Sequence, residues 1–417
     1  RVRAARLKGR ISARILQNYR QMRLAARTLS RGFQVQQPRA VLVNQLRCNA
    51  QARTSEVHGG DDVHKVGRLI CDFSVTTNAL GPTPRAVTAV RQLLEDSTLI
   101  SISARGGNVK AILEDDSEQI LSSPAIEHYP IRYDDELVGL VSKFLGQDAC
   151  SGKAAPIPER LLFGNGASEL IDLLVRAAPQ GKYSLNPNVQ VQYREYERAC
   201  RNSGRPWTDN PKDASIICLV NPTNPTGDFA PRAEMEAWIE ANAKPGSWVL
   251  VDESMIFWAG PKWFEQGVSS DFVQKMYEKD VKIFLIYSWT KIFSCTGMRI
   301  GSALCPTPTE ARQAESIQVP WSVNVLARTF LKEAIQDKEY LTRTWNQTVH
   351  WRSHMIERLR QLHPKWDFLG QPWLSWVWID TKDPLVAQQI YEVSLECGCP
   401  VRRAVDGYGF FFFFLIT

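Results

Sequence analysis

The chain has 417 residues, 44% of them apolar and 23% charged, enough for a substantial core, and single cores stop growing at roughly 250–300 residues, so two domains are expected. Its formal net charge of +6 is unevenly spread: residues 1–57 hold thirteen Lys and Arg against one acid, Glu56, a net of +12 that leaves −6 on residues 58–417. No apolar run approaches the ~18 residues of a membrane-spanning helix, and neither the nine scattered cysteines nor His350 and His354, which lack a third ligand, have the spacing of a metal site.

The basic segment comes first in the chain. Leu7, Ile11, Ile15, Tyr19, Met22, Ala26 and Leu29 recur at three- and four-residue steps among Arg14, Arg20, Arg23, Arg27 and Arg31, which predicts an amphipathic helix. An Arg-rich, acid-poor segment of this kind is expected to direct a protein to the mitochondrial matrix, with the plastid as alternative. It is also expected to dock on a protein partner. It lacks interleaved stacking aromatics, so nucleic acid ranks well below targeting.

Leu161-Leu162-Phe163 predicts a strand, Gly164-Asn165-Gly166-Ala167-Ser168 a turn, and Leu170, Ile171, Leu173 and Leu174 the helix that follows. The free N–H groups and positive dipole end of such a helix suit a phosphate. Ile216-Ile217-Cys218-Leu219-Val220 predicts a second strand, after which Pro225 and Gly227 fix a turn that aims the Asn224 amide. Ser247-Trp248-Val249-Leu250-Val251 predicts a buried parallel strand that delivers Asp252 at its carboxyl end, where α/β sheets place ligands. Ser288, Thr290, Lys291 and Arg299 then supply two hydroxyls, an amine and a guanidinium. Residues 373–379 predict a core strand, and Phe410-Phe411-Phe412-Phe413-Phe414 is the tightest apolar cluster. Each motif alone has an ordinary structural explanation as a turn, a cap or a surface residue; their joint order along one chain is the specific signal.

An amine for a Schiff base, an acid to keep a pyridine nitrogen protonated, and cations and hydroxyls for a phosphate are the requirements of pyridoxal 5′-phosphate (PLP). From about His58 onward the chain resembles the fold type I PLP-dependent enzymes, the class I/II aminotransferase superfamily. Within it, the likeness is closest to threonine-phosphate decarboxylase and histidinol-phosphate aminotransferase. His58-Gly59-Gly60, Asp72-Phe73-Ser74 with Asn78 and Leu80-Gly81, and Pro320-Trp321-Ser322-Val323-Asn324 carry that likeness, the last favouring the decarboxylase.

The resemblance implies an α/β fold. A large domain, residues 136–310, would hold a mostly parallel sheet between helices; residues 58–135 and 311–417 would form a smaller α+β domain. It implies that Lys291 is catalytic and holds PLP, that Asp252 faces the pyridine nitrogen and Asn224 the O3′ oxygen, and that Tyr193 stacks on the ring. Gly166, Ala167, Ser168, Ser288, Thr290 and Arg299 would cradle the phosphate. Tyr129 would reach the phosphate site of a neighbouring subunit, hence a homodimer, and His58, Asn224 and Arg402 would contact a phosphorylated amino acid substrate.

Three departures stand beside these matches. Met255 occupies the place of a tyrosine that bonds O3′ in many aminotransferases. The family carries a late arginine for the substrate carboxylate and then a closing helix, where this chain has its phenylalanine run, so the sequence is truncated or misread here or the enzyme is altered. A lost charge-assisted pair is worth about 1.5–3 kcal/mol. The stretch between Gly81 and Tyr129 is also longer than in the family. Decarboxylation of a phosphorylated amino acid is the leading expectation and histidinol-phosphate-type transamination the first alternative. A catalytically impaired structural subunit of a larger mitochondrial assembly is the second.

Overall fold

The computed structural model describes residues 60–105, 126–131, 133–146, 157–411 and 413–416. His58, the basic segment 1–57 with its expected helix and docking role, and most of the long stretch after Gly81 lie outside the described residues.

Two helices, α1 (Pro84–Arg105) and α2 (Asp135–Leu145), precede a region where strands and helices alternate. Its elements are β1 (Leu161–Gly164), α3 (Ala167–Ala177), β2 (Tyr183–Leu185), α4 (Glu195–Asn202), β3 (Ile216–Val220), α5 (Arg232–Asn242), β4 (Trp248–Asp252), α6 (Ser270–Glu278), β5 (Lys282–Ser288) and β6 (Gly301–Leu304). They form a six-stranded sheet in the order β1-β6-β5-β4-β3-β2. Strands β2 to β5 are parallel, whereas β6 runs antiparallel to both β5 and β1.

Every residue of β3 and β4 is buried, as expected of parallel strands covered on both faces. Alternate side chains feed two layers. Ile217, Leu219, Val249, Val251, Ile283 and Leu285 pack among Phe257, Trp258, Trp263 and Trp289. Ile216, Cys218, Val220, Leu250, Phe284 and Ile286 pack against Leu170, Leu174 and Tyr196 of α3 and α4. Register aligns the strand ends: Val220 lies opposite Asp252, and Asp252 opposite Ile286. The loops after β3, β4 and β5 therefore open on one edge of the sheet.

Next come α7 (Pro308–Ser316), α8 (Val325–Ala334) and α9 (Lys338–Leu362). Although they lie past residue 310, α7 packs on α3 and β1, and α8 on α1 and α2. A second sheet, built from β7 (Asp367–Leu369), β8 (Val377–Asp380), β9 (Arg402–Arg403) and β10 (Phe413–Ile416), has the antiparallel order β7-β8-β10-β9, with α10 (Pro384–Glu396) between β8 and β9 in sequence. The phenylalanine run supplies β10, where Phe413 stacks on Trp378 and Phe414 is buried with Val377, Ile379 and Val401.

One strand is shorter than the sequence predicts. Residues 373–376 remain a loop and β8 begins at Val377, because side chains take the local polar groups: Arg352 Nε donates to Trp376 O at 3.2 Å, and Trp376 Nε1 donates to Pro225 O at 2.8 Å. The N-terminal segment lies along this sheet, Ile70 N donating to Gly398 O (2.8 Å) and Phe73 N to Pro400 O (2.9 Å). It then crosses to the first sheet, where Asn78 Nδ2 donates to Ile292 O (2.9 Å) and Thr344 Oγ1 (2.7 Å).

Candidate active site

A cavity of about 480 Å³ opens at the carboxyl ends of β3, β4 and β5. It brings together Ala167, Ser168, Tyr193, Asn224, Asp252, Ser288, Thr290, Lys291, Arg299 and Arg402. Gly166 lies directly beneath Arg299, while Tyr129 is not part of the lining. Tyr129 is instead 76% exposed and stacks on Trp321 with ring centroids 4.2 Å apart.

Lys291 stands on the single helical turn Trp289–Ile292 that continues β5. Burial, then the neighbouring Arg402 and Arg299 guanidiniums, push its ammonium down to about 8. A desolvated cation beside two like charges releases its proton readily, which makes the amine nucleophilic near neutral pH. Its backbone is tied to the N-terminal segment, since Asn78 N donates to Lys291 O at 3.2 Å.

Asp252 ends β4 and is buried. Its Oδ2 accepts from Tyr196 Oη at 2.9 Å and its Oδ1 from Ser254 N at 2.9 Å. Burial raises its carboxyl above the usual range, while the Ser254 and Tyr196 hydrogen bonds and the Lys291 charge oppose that shift. The outcome is a carboxylate held in one orientation and suited to a cationic N–H.

Asn224 follows β3 in a turn closed by Gly227 N donating to Thr223 O at 2.7 Å. Its Nδ2 donates to Thr76 Oγ1 at 3.3 Å, and its buried Oδ1 has no partner among the described residues.

The opposite corner is built for an anion. Gly166, at φ +79°, precedes α3 and provides no side-chain cap, leaving the N–H groups of the first turn open. A Cβ at Gly166 would collide with the Arg299 guanidinium, so only glycine lets the two approach. Arg299 has a left-handed backbone, φ 59°, and its Nη1 donates to Thr296 O at 3.3 Å. The Ser288 and Thr290 hydroxyls are hydrogen-bonded to each other at 2.8 Å, and Ser288 N donates to Ser254 Oγ at 2.8 Å. Tyr193 lines the cavity beside Ser168, and its phenol is raised by burial and the nearby Glu195. Arg402 lies over the Tyr408 ring, 5.1 Å from its centroid.

Several contributors were not singled out from sequence. Tyr196 and Ser254 fix Asp252, and Thr76 reaches the cavity from the N-terminal segment, alongside Asp72 of the Asp72-Phe73-Ser74 motif. A large apolar-faced aromatic within the otherwise charged run of α4 was the available signal for Tyr196; for Thr76 the sequence offers none.

Residues 103–396 match the family model described as aminotransferase class I and II. A histidinol-phosphate aminotransferase of Bdellovibrio bacteriovorus is 26% identical over 357 residues, covering 80% of this chain and 82% of that protein. Among solved structures, histidinol-phosphate aminotransferase from Sinorhizobium meliloti in complex with pyridoxal-5′-phosphate superposes with a TM-score of 0.65 at 16% identity, covering 93% of this chain and 94% of that one. L-threonine-O-3-phosphate decarboxylase from Porphyromonas gingivalis gives 0.61 at 17% identity, covering 84% and 94%.

Proposed function

The chain belongs to the aminotransferase class I and II family, and from that premise we propose that it is a PLP-dependent enzyme acting on a small phosphorylated amino acid or amino alcohol. Its cofactor is pyridoxal 5′-phosphate. The residues fit that group: Gly166 admits Arg299 to an open helix start, Asn224 lines the cavity with hydrogen-bonding capacity left over, and Asp252 is fixed by two donors. When bound, PLP supplies an electron-poor ring able to accept the pair left by a bond broken at the substrate carbon that bears the amine.

The protein's own part follows from position and charge. Arg299, the first turn of α3, and the Ser288 and Thr290 hydroxyls would hold the phosphate. Asp252, kept in orientation by Tyr196 and Ser254, would hold the ring nitrogen's proton. Lys291, its ammonium lowered to about 8, offers a neutral amine to an aldehyde carbon and can afterwards take or return a proton at the substrate carbon. The observation that carries the reading is the convergence of Lys291, Asp252, Asn224 and Arg299 on one cavity.

Among the described residues lining the cavity the cations are Lys291, Arg299 and Arg402. With the first two engaged by the cofactor, Arg402 remains for one anionic group. That supports transamination of a phosphorylated amino alcohol, as the name of the Bdellovibrio relative implies for that protein. Decarboxylation of a phosphorylated amino acid is the second reading, supported by the Pro320-Trp321-Ser322-Val323-Asn324 segment. A structural subunit draws no support from the relatives. The homodimer is proposed from Tyr129 and Trp321, a stacked pair left 76% and 49% exposed and suited to cover by a second copy. Mitochondrial delivery by residues 1–57 rests on their composition alone.

The test is a visible spectrum of the purified protein with PLP, before and after borohydride, with Lys291→Ala alongside. Incubation with histidinol phosphate plus a 2-oxo acid, and separately with O-phosphothreonine, then distinguishes amino transfer from CO2 release. A colourless protein that cannot be reconstituted would end the enzymatic reading.

A further inference from the structure

The two ends of the Asn224 amide, which lines the cavity, are unequally satisfied. Its donor, Nδ2, is engaged by Thr76 Oγ1, and its acceptor, Oδ1, is buried without a partner. Thr76, only 4% exposed, lines the same cavity. On the PLP reading, on which this inference rests, the group next to that amide carries a phenolic oxygen. Once deprotonated that oxygen is itself an acceptor, so facing Oδ1 it meets lone pairs rather than a proton.

A carboxamide has the same outline when turned end for end, but the turn exchanges donor for acceptor. Most partners tolerate only one of the two states: a backbone carbonyl can only accept and a backbone N–H can only donate. A hydroxyl can do either. Thr76 is therefore a partner that survives the turn, accepting from Nδ2 in one state and donating to Oδ1 in the other. Nothing else needs to move, because Thr76 is held on both sides, by Phe73 on the second sheet and by Asn78 on the Ile292 carbonyl and Thr344.

We propose that Thr76 is a positioning residue whose hydroxyl lets the Asn224 amide turn when the cofactor enters, so that Oδ1 accepts from Thr76 and Nδ2 donates to the phenolic oxygen. A residue 148 positions earlier in the chain thus sets the hydrogen-bond polarity of the turn after β3. Thr76 touches no reacting atom; it acts through Asn224.

The experiment compares the wild type with Thr76→Val, Thr76→Ser, Asn224→Ala and the Thr76→Val/Asn224→Ala double variant. Two quantities are read: the dissociation constant for PLP and the midpoint of the pH titration of the bound cofactor's visible band. Thr76→Val is expected to weaken binding by roughly fivefold to tenfold, the effect of one neutral hydrogen bond. It should also move the titration midpoint to the same side as Asn224→Ala. Thr76→Ser, which keeps the hydroxyl, should stay within about twofold of wild type on the same scale, and the double variant should be no worse than Asn224→Ala. Should Thr76→Val fail to fold, Thr76→Ala removes the hydroxyl without new bulk and is read in the same way. Wild-type titration and affinity in Thr76→Val, a Thr76→Ser variant as impaired as Thr76→Val, or additive losses in the double variant would each overturn the role. A wild type with no visible band at all would instead remove the PLP reading, and the proposal with it.

Discussion

Lys291 is placed where a proton is hard to keep, buried beside Arg402 and Arg299. Lowering an ammonium from 10.5 to about 8 raises its uncharged share at neutral pH by roughly two to three orders of magnitude. Borohydride-trappable cofactor incorporation should therefore rise with pH around a midpoint near 8, and Arg402→Gln, which removes a like charge, should move that midpoint upward. In the cofactor-free protein the unfolded chain keeps this proton to higher pH than the folded one, so this group's contribution makes folding more favourable as pH rises from about 8 towards 10.5. Thermal unfolding across that interval, wild type against Lys291→Met, checks the sign. Tyr196→Phe removes a donor to a buried carboxylate; PLP affinity, measured by fluorescence quenching, should fall by about tenfold or more. Lys291, Asp252 and Asn224 are legible in sequence because each ends or follows an apolar run. Thr76, Tyr196 and Ser254 are not, because what brings them to the cavity is tertiary packing, which leaves no local pattern.

At the scale of elements, the junction of β1 and α3 joins backbone conformation to anion recognition. Gly166→Ala would place a Cβ at φ +79°, ψ 164° and against Arg299, a conformation open essentially only to glycine and costing roughly 1–3 kcal/mol before the clash is counted. The expected result is a loss of about tenfold or more in PLP affinity, with affinity for pyridoxal, which lacks the phosphate, changed much less. Equal losses for both ligands would count against this corner as the phosphate site. Runs of apolar residues revealed β3 to the residue and β4 to within one residue at each end, since strands covered on both faces need no alternation. The same rule misleads at residues 373–376, where apolar side chains are buried from a loop whose polar groups are met by Arg352 and Pro225. The reversed direction of β6 is set by its two neighbours and has no counterpart in its four residues.

For the whole molecule, a close glycine contact joins the Trp376–Pro225 hydrogen bond in linking the loops of the two sheets. Gly227, after β3, faces Gly370, between β7 and β8, both with positive φ, and Gln371 N donates to Gly227 O at 3.2 Å. An added Cβ at Gly227 would lie 2.5 Å from Gly370 Cα. Gly227→Ala should thus destabilise the protein by about 2–4 kcal/mol, combining backbone strain with overpacking, as read from urea unfolding. Sedimentation should report a shift towards monomer in Tyr129→Ala if that exposed aromatic pair is the proposed homodimer contact. The α/β character followed from the resemblance that the ordered site motifs carry, but the core's continuation past residue 310 did not, because α7 and α8 look like any amphipathic helices until their neighbours are known. The order β7-β8-β10-β9 carries a consequence for biosynthesis. β10 lies between β8 and β9 yet follows both in sequence, so while the chain is being made β9, which bears Arg402, cannot join β8 in this sheet until β10 emerges, although the preceding Val401 already has Phe73 to bridge to. A nascent chain lacking β10 would thus carry Lys291 and Asp252 without the β9–β10 pairing that holds the strand of their neighbouring Arg402.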